Sequence, residues 1–89
     1  MSNKLNKVSD YTEDLVKRIE EYMDHFEREQ DLYSMFEVMR LTGHLLNAVA
    51  SRYIIGMVKD ETYNSYMTYI DNMQTDVLHI IQSIEKYSK

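Results

Sequence analysis

Three histidines, fifteen carboxylates and ten Lys or Arg side chains hold most of the chemical potential of this 89-residue chain. His25-x-x-x-Glu29 and Asp76-x-x-His79 each place a carboxylate one helical turn from an imidazole. That spacing builds metal sites in helical bundles when the ligands project inward. Both histidines fall away from the apolar stripe of their own helix, so no metal centre and no cofactor is expected. Cysteine is absent, Gly43 and Gly56 stand alone rather than in a phosphate-cradling loop, and no serine sits in a nucleophile elbow. The chain is therefore expected not to be an enzyme.

One polar constellation stands out. Glu37, Arg40, His44, Asn47 and Ser51 recur at three- and four-residue steps and share one narrow file on an otherwise apolar helix. In a seam between helices, Arg40 could hold a carboxylate or phosphate through its planar fork, with His44 and Asn47 as further donors. The same file also fits a plain solvent-facing strip, or a polar network buried between two copies. Tyr63, Tyr66 and Tyr69 resemble a platform for stacking bases, but no basic groove accompanies them. They read more simply as the core edge of the third helix, and no direct nucleic-acid binding is expected.

The elements that must position these residues are helices almost throughout. Val8, Leu15, Ile19, Tyr22 and Phe26 follow a three-four rhythm, widened by Val16 and Met23, with Asp10 and Glu13 as a capping pair. Glu29-Gln30-Asp31 interrupts that stripe, and Ser34-Met35-Phe36-Glu37 has the form of a second capping box. Met35, Val38, Met39, Leu41, Leu45, Leu46, Val49, Ala50, Tyr53 and Ile54 then cover an unusually wide arc, which marks this helix as the buried one. Gly43 and Ala50 lie on that arc two turns apart, where another helix could approach closely. Gly56 reads as the residue just past the end of the helix, and Asp60 and Glu61 open the last one. Its stripe is Tyr63, Tyr66, Ile70, Met73, Val77, Ile81 and Ile84, with Met67, Tyr69 and Tyr87 at the edges.

The expected fold is thus all-α: an antiparallel three-helix bundle with helices over about 10–29, 34–55 and 60–87. Residues 1–9 read as a flexible N-terminus and 10–89 as a single helical domain. So small a chain, with no proline, no disulfide and two glycines, is hard to stabilise alone. Two of its helices carry apolar arcs wider than a surface helix needs. A second copy covering the surplus, in a homodimer, is the expected remedy. Exposure of Met67, Tyr69 and Tyr87 as isolated surface residues is the alternative.

Charge points the same way. The net charge is −5, with a pI near 5.0. Between Asp10 and Glu37 lie ten acidic and three basic residues, whereas the rest of the helical region is balanced. Glu13, Asp14, Glu20, Glu21 and Asp24 face away from the first apolar stripe. They form either an ordinary solvated face or a surface that docks on a basic patch of another protein. No apolar run approaches the length of a membrane span, and no membrane association is expected. The functional expectation is a small acidic cytoplasmic regulator or inhibitor that binds proteins, of the phage or mobile-element inhibitor, immunity or anti-factor type. The alternative is an oligomeric binder of a small anionic ligand or nucleotide through Glu37, Arg40, His44, Asn47 and Ser51.

Overall fold

Helix boundaries are set by local hydrogen bonding in three places, and those bonds define α1 (Asp10–Glu29), α2 (Leu32–Ile54) and α3 (Asp60–Ser88). The computed structural model describes residues 5–88, with side chains through Ile84. Among the described residues there is no strand.

The cap of α1 is Ser9, not the expected Asp10–Glu13 pair. Ser9 is fully extended, its Oγ accepts from the Thr12 N–H at 3.1 Å, and its own N–H donates to Thr12 Oγ1 at 3.0 Å. This reciprocal box satisfies two orphan donors and leaves Asp10 as the first helical residue. Glu13 instead lies exposed, 3.8 Å from Lys7.

Gln30 separates α1 from α2. It adopts the left-handed conformation (φ 53°) and donates its N–H to Phe26 O at 2.8 Å, which ends the helix without a glycine. Asp31 then caps α2, its Oδ2 accepting from the Ser34 N–H at 2.9 Å. The second helix therefore starts at Leu32, two residues before the expected Ser34. Ser34 is buried in its first turn, not outside it. Gly56 closes α2 as its position suggested. With φ 81°, it donates to Tyr53 O at 3.0 Å, and Met57 N–H donates to Arg52 O at 2.9 Å. These are the paired bonds of a Schellman motif, which requires the left-handed residue that glycine supplies at least cost.

α2 lies at the centre. It packs along both neighbours, whereas α1 and α3 touch each other little. Leu41, Leu45 and Val49 of α2 meet Leu15 and Ile19 of α1 and Tyr66, Tyr69 and Ile70 of α3. A second cluster joins Met23 and Phe26 to Val38 and Val77. Polar cross-links accompany the core. Thr42 Oγ1, fully buried, donates to Val38 O at 2.8 Å and accepts from Gln74 Nε2 at 3.0 Å. Tyr53 stacks on Tyr63, with ring centroids 4.1 Å apart. The long dimension of 49 Å is close to the roughly 44 Å that α3 spans at 1.5 Å per residue.

At the edges of the bundle, two of the three α3 residues weighed as isolated surface residues are not exposed. Tyr69 is buried against the core and Met67 half-buried; Tyr87 lies outside the described side chains. The surplus apolar surface is therefore not on Met67 or Tyr69. The lead-in to α1 was expected to be a flexible 1–9; residues 1–4 lie outside the described residues. Of the remainder, Leu5 and Val8 pack on the core, and Tyr66 donates its hydroxyl to Asn6 O at 2.7 Å. Asn6 Nδ2 in turn donates to Thr62 Oγ1 at 3.3 Å.

Candidate functional site

The polar file of α2 does not remain one unit. Glu37 turns inward and is buried, and Arg40 folds back over it one turn away. Arg40 Nε donates to Glu37 Oε2 at 3.3 Å and Nη2 to Oε1 at 2.5 Å, a two-pronged pair. The guanidinium holds the Glu37 carboxyl below its ordinary range, against a burial effect of opposite sign. Arg40 also reaches His44, with Nη1 3.4 Å from Nε2. A carboxylate thus already fills the fork that an anionic ligand would need.

Arg40 and Glu37 line an open groove of about 570 Å³ between α1 and α2, with Arg18, Glu21, His25 and two tyrosines. Tyr22 and Tyr33 meet edge to face at its end, 5.9 Å between centroids. Its two arginines are both engaged, Arg18 by Asp14 at 3.3 Å and Arg40 by Glu37. With Glu21 and Glu37 balancing Arg18 and Arg40, the groove has no surplus positive charge for an anion. His44, Asn47 and Ser51 line a separate shallow depression of about 330 Å³ with Tyr11 and Arg52. The five residues of the file therefore divide between two places. Sequence spacing could not foresee this, because the division is made by α1 side chains.

A Ser–His–Asp cluster sits at the α1–α2 turn. His25 Nδ1 lies 2.7 Å from Ser34 Oγ and 3.0 Å from Asp31 Oδ1, a buried oxygen with no better-directed partner. Both contacts fall on the same ring nitrogen. A catalytic relay needs one nitrogen for the hydroxyl and the other for the carboxylate. Ser34 borders the groove but is itself almost wholly buried. The cluster anchors the start of α2. The Ser34 N–H holds the Asp31 carboxyl below its usual range. No group of three or more His, Cys, Asp or Glu residues converges as a metal site among the described residues, and His79 lies exposed on α3.

The acidic face of α1 is laid out along the exposed side of the helix. Glu13, Asp14, Glu20, Glu21 and Asp24 are all exposed. Asp14 and Asp24 pair with Arg18 and Arg28 one turn on, at 3.3 and 3.2 Å, and Glu20 accepts the Tyr69 hydroxyl at 3.1 Å. Exposed pairs of this kind contribute little to stability, so their arrangement is free to serve recognition. α1 carries eight acidic residues against three basic ones.

The most unusual surface was not foreseen as a unit. Leu32, Phe36, Met39, Leu46 and Ile54 are exposed on the side of α2 turned away from the core. Gly43 and Ala50 lie between them on the same face. A surface helix normally presents charged and polar groups there. The signal that could have found this face is the step pattern 32, 36, 39, 43, 46, 50, 53, an unbroken alternation of four and three. It was hidden because the core-facing residues of α2 are apolar as well.

These features define a small all-helical protein whose unusual surfaces are one apolar and one acidic helix face. No protein-family model, curated protein or solved structure matches the chain. No helix among the described residues is long and apolar enough to cross a membrane.

Proposed function

We propose that this chain is a non-enzymatic, protein-binding regulator or inhibitor, of the phage or mobile-element inhibitor, immunity or anti-factor type. In this reading it works in the cytoplasm as a homodimer of antiparallel three-helix bundles. The dimeric part of the reading is carried by the outward face of α2, apolar along its length where a solitary bundle would be polar. The regulatory part is carried by the exposed acidic face of α1. The antiparallel arrangement is supported by the order of cross-contacts: Tyr53 meets Tyr63, while the earlier Thr42 meets the later Gln74.

The regulated partner is a protein with a basic surface, and it docks on the acidic side of α1. Charge complementarity of this kind speeds association and excludes like-charged competitors. Glu13, Asp14, Glu20, Glu21 and Asp24 present the charge, and none of them is buried in the bundle. The test is capture from a host lysate with wild-type chain and with a Glu13→Lys/Glu20→Lys/Glu21→Lys variant whose helicity is checked by circular dichroism. One stoichiometric protein retained by the wild type, released by salt and lost in the variant supports the reading. Absence of any protein that distinguishes the two refutes it.

A further inference from the structure

We infer that the outward face of α2 pairs with the same face of a second copy. The two helices run antiparallel, so that Leu46 fits against the partner's Gly43 and Met39 against the partner's Ala50. The inference rests on the dimeric reading above and adds to it the surface, the register and the orientation.

The first support is the pattern itself. Leu32, Phe36, Met39, Gly43, Leu46, Ala50 and Tyr53 repeat at four-three steps over the full helix, the spacing by which two helices keep one seam in contact. None of these residues is charged, so a second copy brings no like charge onto the seam. The acids of α1 lie on the exposed side of a different helix.

Area is the second support. Leu32 is 75% exposed, Phe36 56%, Met39 41%, Leu46 42% and Ile54 80%. At about 200 Å² for a large side chain, these five leave roughly 600 Å² uncovered. Complete burial of these residues in both copies would remove at most about 1,200 Å², the lower end of the range of stable specific interfaces, before any flanking residue is counted.

Gly43 supplies the third. A Cβ built at this position meets nothing within 4 Å, so nothing inside the protomer requires a glycine there. Glycine in a helix interior is unfavourable, and the open space above it is a hole. An antiparallel pairing fills that hole with the partner's Leu46, and it sets the partner's Met39 over the small Ala50. Phe36 then meets the partner's Tyr53. A parallel, in-register pairing would instead set Gly43 on Gly43 and Ala50 on Ala50, leaving gaps beside crowded Leu46 and Met39 pairs. Close packing favours large against small.

The test combines light scattering after size exclusion with single-cysteine cross-linking, which the cysteine-free chain makes simple. Wild type should run as a dimer. Leu46→Glu and Phe36→Glu should run as monomers with unchanged helical circular dichroism, the association constant falling by more than about a hundredfold. Under oxidation, Met39→Cys mixed with Ala50→Cys should yield a covalent dimer containing one of each, whereas Met39→Cys alone should not cross-link. A wild type that stays monomeric throughout a dilution series overturns both this pairing and the dimeric reading. A dimer untouched by Leu46→Glu and Phe36→Glu overturns the pairing but leaves a dimer standing elsewhere. Self-cross-linking of Met39→Cys overturns the orientation.

Discussion

Gly43→Ala separates the fold of the protomer from its association, because the two respond with different sign. In the protomer, the added methyl touches nothing within 4 Å and sits in an α2 interior where glycine has no structural duty. The gain is the difference in helix propensity, about 1 kcal/mol. At about 2.1 cal/mol/K per residue, an 89-residue domain has an unfolding entropy near 190 cal/mol/K, so the midpoint should rise by about 5 °C. The measurement is thermal unfolding by far-ultraviolet circular dichroism in a Leu46→Glu background, where association is removed. Repeated in the wild-type background, the same methyl faces the partner's Leu46. The gain should there shrink or reverse, and the dimer should dissociate at higher concentration. Equal stabilisation in both backgrounds would show that residue 43 lies outside any interface. Destabilisation in the Leu46→Glu background would refute the open helix surface on which the argument is built.

Two further outcomes follow from titrating groups, one at each end of the pH scale. Arg40 lowers the folded-state pKa of Glu37 below its ordinary 4.5, so its contribution is complete above that value and is lost as pH falls through the lower folded value. Glu37→Gln should lower the urea midpoint at pH 7 and flatten the acid limb below pH 4.5, whereas an unchanged acid limb contradicts the pairing. At the alkaline end, burial raises the phenols of Tyr66 and Tyr69 above 10, with the Glu20 carboxylate adding to the effect at Tyr69. Their contribution is complete below pH 10 and disappears as pH rises beyond it. Tyr69→Phe should therefore retain more of its neutral-pH stability above pH 10 than wild type does, read as urea midpoints. Equal alkaline loss in both would show that Tyr69 is not shielded from solvent.

Much of the fold was legible in the chain because helical periodicity is a local property. Three helices, the α1 limits and the Gly56 stop follow from spacing and from residues whose backbone preferences act within one turn. The caps were harder. Ser9 rather than Asp10, and Asp31 rather than Ser34, became the caps because several good capping residues stand side by side. Which one turns extended depends on where the chain leaves the bundle. The break itself shows as the polar Glu29-Gln30-Asp31 interruption, but nothing in the sequence marks Gln30 as the left-handed residue, since glutamine has no special liking for that conformation.

What the sequence determined alone was the quantity of apolar helix surface: more than three packed helices bury, with α2 bearing the widest arc. Tertiary structure alone decided where the excess lies, because α2 spends one side of its arc on both neighbours at once and turns the other outward. It likewise decided that Glu37 is buried under Arg40 while His44, Asn47 and Ser51 stay outside, since that division depends on which α1 side chains lie across each turn of α2. Periodicity assigns residues to a face of a helix. Only the neighbouring helices determine whether that face becomes core, groove or open surface.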